Sequence, residues 1–515
     1  MLSTFHGLET ARRAMTTQQY ALQTMGHNVA NANTPGYSRQ RVNFAQTETF
    51  PAPAMNRPQL PGFLGTGVKA ESIQRIRDQF LDIQFRNENN KNGYYQTTNE
   101  ALSKIEDILN EPSEVSLSFT MEQFWQSLQD LSVNPQDPGA RAVVRQRGVA
   151  VAETFRYTAE SLNTIRRDYE IQIANQQKEM NSILEQINSI NKQIGEAEPH
   201  GYVTNELYDE RDVLLDRLSS FVNIKTERVA SGGAPSPVAE GKLTVYMYDG
   251  NGQRINLVDG SNFNELKQFQ VQRDGEFVSG ITIFNQATPA DGPITLNVEN
   301  FGSKGSFIAT IESFGYYDGD VVKGHYPSIL ANLDEMAHVY ATEFNRVHEA
   351  GWSPNGTGIS FFQDLGNATL TKEGFASRIA VSQAIINSTD NIAAATFDAN
   401  GNAFIGDGSN ARNLANVKDT QMMFAGRTAN VQSFYRGIIG DLAVDISEAK
   451  RLANNTAVLR ENVDSRRDAM SNVSIDEELT NMIKFQHAYN AAARNITLVD
   501  EMLDRIINGM GLAGR

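Results

Sequence analysis

Both ends of the 515-residue chain carry large apolar side chains that recur every seven residues. At the N-terminus the recurring residues are Met1, Leu8, Met15, Leu22 and Val29. At the C-terminus they are Ile475, Met482, Tyr489, Ile496, Leu503 and Met510, with Leu479, Phe485, Ala492, Val499 and Ile506 beside them. A sustained seven-residue period is typical of long helices that pack lengthwise on other helices. Each end therefore predicts a coiled-coil helix that needs a partner helix, because it has no core of its own.

The pattern between the two ends predicts an α+β fold that is mainly α. Helical periodicity covers residues 73–109, 115–131, 140–194, 205–221, 326–348 and 428–471. Residues 34–69 are expected to be irregular, since four prolines between positions 51 and 61 exclude a helix there. From about 224 to 320, short alternating runs such as KLTVYMYD and SFIATIESF are separated by turn residues. These runs predict antiparallel β-strands.

These elements group into three predicted domains. Residues 1–34 and 473–515 form a terminal coiled-coil assembly domain, and we expect the two ends to lie side by side. Residues 35–222 and 322–472 form a helical rod-like domain built from both halves of the chain, in which 351–425 is a loop-rich or β subdomain. Residues 223–321 form the inserted antiparallel β domain. Ser474 followed by Glu477 predicts a capping box at the start of the C-terminal helix.

Composition disfavours several classes of partner. The formal net charge of −16 leaves no surplus of Lys and Arg to replace phosphate counterions, so nucleic-acid binding is not expected. No apolar run approaches the roughly 20 residues that cross a bilayer, so membrane insertion is not expected either. The N-terminus lacks the continuous apolar stretch of a cleaved secretory signal. The chain contains no cysteine, which excludes disulfides and thiol catalysis.

The sequence offers no arrangement of residues that would carry catalysis or bind a metal. None of the seven histidines has metal-ligand spacing, and His338 and His348 lie ten residues apart on one predicted helix. The segment that starts at Asp398 resembles a calcium loop but has Ala403 where the loop needs glycine. The prediction is therefore a protein that is not an enzyme, with no catalytic, cofactor-binding or metal-binding residues and no cofactor.

Segments at both ends carry a resemblance to a known family. NVANANTPGYSRQRV at 28–42 resembles the N-terminal signature of the bacterial flagellar axial proteins of the rod, hook and hook-associated types. GTGVKAESIQRIRDQFLD at 65–82 and the tail at 472–509 are similar to the hook-associated proteins of the FlgK type. Within that tail, FQHAY at 485–489 stands where rod and hook proteins typically have AQRAF.

The resemblance implies a secreted structural protein of the bacterial flagellum, located at the junction between hook and filament and needed for filament assembly. It implies a ring of about eleven copies, built from repeated contacts between identical subunits. The implied partners are the hook protein, the third hook-associated protein, the type III flagellar export apparatus and a cytoplasmic chaperone that holds the C-terminal helices. Two alternatives remain open: another axial protein (hook or distal rod), and a secreted flagellum-associated wall hydrolase.

Two sets of residues are the candidate functional positions. The predicted subunit assembly contacts are Leu8, Met15, Leu22, Val29, Met482, Phe485, Tyr489, Ile496, Val499 and Leu503. The family signature forms a predicted elbow of Asn31, Asn33, Thr34, Pro35, Gly36 and Tyr37. Pro35 disfavours helix at Thr34, so the N-terminal helix should end there and the chain should turn towards the rest of the protein.

Overall fold

The computed structural model describes residues 4–48, 65–109, 116–290, 292–367, 369–398 and 401–509. The proline-rich stretch 51–61, Met1 and Met510 lie outside the described residues. The α-helices are α1 (Thr4–Ala30), α2 (Gln79–Leu109), α3 (Leu117–Val133), α4 (Pro138–Ala197), α5 (Asn205–Phe221), α6 (Ser306–Phe314), α7 (His325–Ala350), α8 (Gln383–Asn387), α9 (Ser409–Asn416), α10 (Val431–Ser471) and α11 (Ile475–Gly509).

The strands are short and form small sheets. They are β1 (Gln40–Gln46), β2 (Val68–Arg75), β3 (Lys225–Val229), β4 (Lys242–Tyr248), β5 (Arg254–Val258), β6 (Lys267–Asp274), β7 (Phe277–Asn285), β8 (Ile294–Leu296), β9 (Tyr316–Asp318), β10 (Val321–Lys323), β11 (Phe362–Asp364), β12 (Ile379–Val381), β13 (Met422–Phe424) and β14 (Arg427–Ala429). Among the strands of the described residues, every pair is antiparallel except β7 with β9, which meet in parallel. The predicted fold class, mainly α with antiparallel strands between helical segments, is confirmed.

Two local predictions were wrong. The segment that was expected to be irregular and then helical from residue 73 contains the hairpin β1–β2, and α2 begins only at Gln79. SFIATIESF, which was expected to be a strand, is helix α6. This helix is buried on nearly all sides, including Phe307, Ile308 and Ile311. A run that is apolar on every face cannot be assigned to strand or helix from its period alone.

Helix α4, with 60 residues, is the longest element and organises the rest of the fold. Its start is specified locally, because the Asp137 side chain accepts the N–H of Gly139 at 2.9 Å and Pro138 occupies the first turn. At 1.5 Å per residue the helix spans roughly 90 Å. Its buried stripe runs nearly end to end, from Val144 to Ile194. The protein is therefore arranged along one long helix.

Two asparagines of α4 attach the sheets to the helix. The Asn181 amide donates to the carbonyl of Phe269 at 3.0 Å and accepts the N–H of the same residue at 2.8 Å. Asn191 does the same with Leu243, at 2.8 Å and 3.0 Å. An amide side chain both donates and accepts, so it can pair with a strand edge as another strand would. The strands of 223–321 thus share one continuous core with α4 and α6.

Residues 351–425 consist of short strands and helices that pack on α4 and α7. The buried Asn345 accepts the N–H groups of Phe361 and Phe362 at 2.9 Å and 2.8 Å. Gly148 of α4 allows this segment to approach closely, because a β-carbon there would lie 2.7 Å from the Phe361 ring. His348 is also structural: its Nε2 accepts the N–H of Ala393 at 3.0 Å, and burial lowers its pKa to about 4.

Substitutions of Ile187 and Ile171, both on α4, test whether the shared core stabilises the protein. Ile187 is fully buried between the two asparagine anchors, whereas Ile171 is 61% exposed. We expect Ile187→Ala to lower the free energy of unfolding by about 2–5 kcal/mol, because it leaves a cavity. Ile171→Ala should change it by no more than about 0.5 kcal/mol. Urea unfolding followed by circular dichroism measures both, and equal effects would contradict a core centred on α4.

Candidate assembly site

The two terminal helices, α1 and α11, pack on each other within one chain. Cγ2 of Val499 lies 3.6 Å from the point where a β-carbon on Gly7 would stand. Near the other end of α1, Nδ2 of Asn28 lies 3.0 Å from Oε2 of Glu478. The start of α1 thus contacts the second half of α11, and the end of α1 contacts the start of α11, so the two helices run antiparallel. The two contacts are 21 residues apart on each helix, so the helices stay in register between them. We call α1 and α11 together the terminal helix pair.

The ten predicted assembly residues all lie on this helix pair and are all half-buried. They are Leu8, Met15, Leu22, Val29, Met482, Phe485, Tyr489, Ile496, Val499 and Leu503. The residues that are covered almost completely are mostly small: Ala11, Ala21 and Ala492, together with Met25. Small side chains let the two backbones approach closely, and the larger side chains then line the margin of the contact. The predicted role of these ten residues between subunits stays a prediction.

The hairpin β1–β2, which the sequence did not predict, packs against the terminal helix pair. The Thr17 hydroxyl of α1 donates to the carbonyl of Val68 at 3.2 Å. The rings of Phe44 and Phe485 meet edge to face, with centroids 5.9 Å apart. The hairpin therefore contacts both helices and joins them to the segment that follows the elbow.

The predicted elbow forms a series of turns directly after α1. Thr34 donates its N–H to the Asn31 carbonyl at 2.9 Å, and Tyr37 donates to Thr34 at 3.2 Å. Asn33, Thr34, Pro35 and Gly36 are exposed, whereas Asn31 and Tyr37 are half-buried. Gly36 has φ +80°, and a β-carbon there would lie 2.1 Å from Val213 of α5. Glycine is thus required both for the backbone conformation and for the close approach to α5.

The fully buried Asn28 holds the elbow against the end of α1. Its Oδ1 accepts the Tyr37 hydroxyl at 2.8 Å and the Gln40 N–H at 3.0 Å. Its Nδ2 donates to the Gln40 carbonyl at 2.8 Å as well as to Glu478. Burial raises the pKa of Tyr37, and the nearby carboxylates of Asp209 and Glu478 add to the effect. The phenol therefore stays neutral and remains a donor.

Glu478 joins the two chain ends through a buried carboxylate. Its side chain is fully buried, and its Oε1 accepts Nε of Arg39 at 2.7 Å. The Arg39 N–H donates to the Ser471 carbonyl at the end of α10, at 2.8 Å. The capping box predicted from Ser474 is only half present: the Glu477 N–H reaches the Ser474 hydroxyl at 3.5 Å, and the Glu477 carboxylate pairs with Arg39 instead. We call Asn28, Arg39 and Glu478 the terminal lock.

A second buried group joins the hairpin to the helices beyond it. Asp212 of α5 lies 2.7 Å from Nη2 of Arg75 and 2.9 Å from Nη2 of Arg86. Arg75 ends β2 and Arg86 lies on α2, so three segments meet at this carboxylate. We call the whole group the arginine–aspartate cluster; its members are Arg75, Arg77, Arg86, Arg467, Asp82, Asp209, Asp212, Asp216 and Glu240.

The cluster is charged even though it is buried. Burial alone would raise the pKa of Asp212, but the positive charges of Arg77, Arg75 and Arg86 outweigh it and hold that pKa below its usual range. Burial raises the pKa of the neighbouring Asp209, which keeps fewer compensating charges. This cluster was not predicted from the sequence. The available signal was the recurrence of Asp209, Asp212 and Asp216 at helical spacing, which places three carboxylates on one face of α5.

Within the described ranges, no group of three or more His, Asp or Glu side chains could hold a metal ion. Among the helices of those same ranges, none is long and apolar enough to cross a membrane.

Comparison with known families matches both ends and the middle of the chain. Residues 8–37 match the flagella basal body rod protein family, and 466–509 match the flagellar basal body rod FlgEFG protein C-terminal family. These two matches cover most of the terminal helix pair, and both are to families of structural proteins of the bacterial flagellum. Residues 102–362 match the flagellar hook-associated protein FlgK helical domain.

Individual relatives agree with this assignment. Flagellar hook-associated protein 1 of Bacillus subtilis is 46% identical over 521 residues, which cover 100% of both chains. The protein of that name from Salmonella typhimurium is 27% identical over 362 residues, covering 70% of this chain and 59% of the relative. The structure of the flagellar hook junction protein FlgK from Burkholderia pseudomallei shares the fold, with a TM-score of 0.60, 13% identity, and coverage of 76% of this chain and 100% of that one.

The chain belongs to the flagellar hook-associated protein 1 (FlgK) family. The resemblance predicted from the two ends is confirmed, and the protein is a component of the flagellum.

The terminal lock can be tested by removing its carboxylate. Glu478→Ala removes the buried carboxylate that accepts from both the Asn28 amide and Nε of Arg39, which should cost about 1–3 kcal/mol in local stability. We expect faster amide hydrogen exchange in α1 and α11, with unchanged exchange in α4. Glu477→Ala is the matched control, since that carboxylate is 61% exposed and a surface pair contributes about 0–1 kcal/mol. Equal exchange in the two variants would contradict the role of Glu478.

Substitution of Asp212 in the arginine–aspartate cluster should lower stability more than substitution of Glu478 does. Asp212→Asn removes the charge that Arg75 and Arg86 share, and breaking a buried ion pair costs about 3–5 kcal/mol. Glu210→Gln, at an exposed position of the same helix, should leave stability nearly unchanged. Urea unfolding at neutral pH compares the two variants. Similar midpoints would show that the cluster contributes little to the fold.

Proposed function

We propose that this chain forms the junction ring between the flagellar hook and filament, and that the filament cannot assemble without it. About eleven copies associate through their terminal helix pairs, as repeated contacts between identical subunits allow. One face of the ring meets the hook protein and the other meets the third hook-associated protein. The role is structural, with no catalysis and no cofactor.

The observation that carries this proposal is the incomplete coverage of the terminal helix pair. The predicted assembly residues remain half-buried within one chain, and further apolar residues such as Ile483 and Leu498 are more than half exposed. Exposed apolar surface on this scale marks an interaction site. Neighbouring copies whose helix pairs line a common axis would cover it.

Before assembly, the chain is secreted through the flagellar type III export apparatus. A cytoplasmic chaperone holds the C-terminal helices until export, because the apolar face of α11 would otherwise aggregate. Family membership favours this junction role over the hook or distal rod, and it favours a structural role over a wall hydrolase. The matches of the two ends to rod families fit a shared mode of axial packing.

Deletion of the gene tests the proposed function. We expect the deletion strain to build hooks without filaments and to release unpolymerised flagellin, which immunoblotting of the medium detects. Immunogold labelling of the complemented strain should place the chain between hook and filament. Filaments of normal length in the deletion strain, or label elsewhere on the flagellum, would contradict the proposal.

A point variant links this function to the helix pair. Ile496→Asp puts a charge on the half-buried face of α11. The body of the protein consists of helices α2–α10 and the strands between them, and we expect it to unfold at the wild-type temperature. We expect the variant not to restore motility to the deletion strain. Thr497→Asp changes the adjacent exposed residue and should complement. Motility-plate assays together with thermal unfolding of the purified variants distinguish loss of assembly from loss of fold.

A further inference from the structure

A groove of about 620 Å³ runs along the first half of α10, between that helix, α2 and α7. The wall that α10 forms carries the carboxylates of Asp441 and Asp445. Within the described ranges no basic side chain forms an ion pair with either carboxylate, although Arg427 lines the same groove. His325 lies near Asp445, but burial lowers the pKa of His325, so it is neutral at neutral pH. The groove therefore presents two negative charges to a molecule outside the chain.

Two glycines near these carboxylates leave the surface of α10 open. No atom lies within 4 Å of the point where a β-carbon on Gly437 or Gly440 would stand. The glycines inside α2 and α4, by contrast, each admit a close neighbour from the same chain, such as the Phe361 ring at Gly148. A glycine inside a helix lowers its stability relative to alanine. The two glycines of α10 have a packing role only if another molecule approaches that helix.

The open side of α10 points away from the core. Leu442 is buried, and Gly440 and Val444 lie two residues before and after it, which is about 160° around the helix on either side. Val444 is 65% exposed. We call this surface, together with the two carboxylates, the α10 face; its members are Gly437, Gly440, Asp441, Val444, Asp445 and Ser447.

The opposite charge stands on the outward side of α4. Tyr169 is buried, so Arg167 and Ile171, two residues before and after it, point away from the core. Arg167 is exposed and forms no ion pair within the part of the chain that the structure describes. Asp168 lies about 100° around the helix from Arg167, on its flank. We call the outward surface of Arg167 and Ile171 the α4 face.

The two faces lie at the same level along the body. The ring centroids of Tyr169 on α4 and Tyr326 on α7 are 5.4 Å apart. His325, the residue before Tyr326, lines the groove with Asp445 of α10, and the two interact electrostatically. Tyr169 and Asp445 are therefore level with each other, on opposite sides of the start of α7.

The helices α4 and α10 also run in the same direction. Ser471, the last residue of α10, accepts the N–H of Arg39 at 2.8 Å. Asn205 begins α5, eight residues after the end of α4, and its amide donates to the Gln40 side chain at 3.4 Å. Arg39 and Gln40 directly follow the elbow, so both helices run towards the elbow.

Parallel helices that are level at one point stay level over equal steps along the chain. Arg167 precedes Tyr169 by two residues, so its level on α10 falls midway between Asp441 and Asp445. Ile171 follows Tyr169 by two residues and is level with Ser447, which is two residues after Asp445. Two copies that stand side by side at the same height can therefore bring the positive charge of one to the two negative charges of the other.

We propose that the α4 face of one copy packs on the α10 face of the next copy around the ring, with Arg167 between the two carboxylates of its neighbour. This inference rests on the proposed function. Because the faces lie on opposite sides of the body, each copy binds one neighbour on either side through a heterologous contact. Because the faces are level, the ring closes without displacing copies along the axis. The open glycines let the side chains of α4 approach the backbone of α10.

Disulfide cross-linking tests the contact directly, because the chain contains no cysteine. The double variant Ile171→Cys with Ser447→Cys is expressed in the deletion strain, and isolated flagella are oxidised mildly. Within one copy the two residues lie on opposite sides of the body, so a disulfide can form only between copies. We expect a ladder of dimers, trimers and longer species on non-reducing immunoblots. Each single variant should remain monomeric.

Val458 provides a matched control on the same helix. It is exposed on the same side of α10, 11 residues after Ser447 and thus about 16 Å further along. Ile171→Cys with Val458→Cys should give monomers only. A ladder as strong as that of the Ser447 pair would show that the cross-link does not report a specific contact, and would overturn the proposal.

Charge reversal tests the ion pairs without cysteine. Arg167→Asp alone, or Asp441→Arg together with Asp445→Arg, places like charges opposite each other, so we expect either change to abolish swimming of the complemented deletion strain. All three changes together exchange the charges and should restore swimming. The three positions are exposed, so thermal unfolding of each purified variant should match that of the wild type.

The outcomes separate the inference from the proposed function. Dimers from either single cysteine variant would show that a face contacts its own counterpart, and would overturn the inference. A double-cysteine chain that enters the junction and stays monomeric would overturn it as well. If that chain does not enter the junction, the charge series decides, and normal swimming of both charge-reversed variants would overturn the inference. Absence of the wild-type chain from hook–filament junctions would instead overturn the proposed function.

Discussion

The carboxylate of Glu478 is the contact on which the arrangement of the chain ends depends. A buried carboxylate is costly unless charged or hydrogen-bonding partners surround it. Its partners come from separate segments, the Asn28 amide on α1 and the Arg39 guanidinium after the elbow. The charge can therefore be buried only when these segments and α11 meet in one register. Apolar stripes with a seven-residue repeat could slide by one repeat at little cost, and a single buried polar contact removes that freedom.

The arginine–aspartate cluster holds the hairpin against the body in the way that Glu478 holds the two chain ends, through a buried charge with partners on separate segments. Asp212 is shared by the end of the hairpin and by α2, so the hairpin cannot swing without exposing unpaired charge. Gly36 contributes by letting the elbow lie directly on α5. The elbow and the hairpin are thus two separate attachments between the terminal helix pair and the body. Together they fix the direction in which the body extends.

Periodicity predicted the long elements well because their patterns are local. The helix expected over 205–221 coincides with α5, and the long helix expected over 140–194 is α4 with a few residues more at each end. The hairpin was missed because Val68–Arg75 alternates weakly, and its partners lie on α1 and α11. The arginine–aspartate cluster was missed because pairs such as Arg86 and Asp216 are 130 residues apart in sequence. The seven-residue stripes located the helix contact, but a stripe does not tell whether its partner belongs to the same chain.

The antiparallel pairing of α1 with α11 brings the beginning and the end of the chain to one place. The body is the part of the chain between the end of α1 at Ala30 and the start of α11 at Ile475. The end of α1 and the start of α11 are held by the same few contacts. The distance between these two points therefore does not depend on the length of the chain that connects them. Segments of the body can therefore differ in length while the terminal helix pair keeps its geometry. Natural variation in length is therefore expected to accumulate in the body, and the two ends should remain the most uniform parts of the molecule.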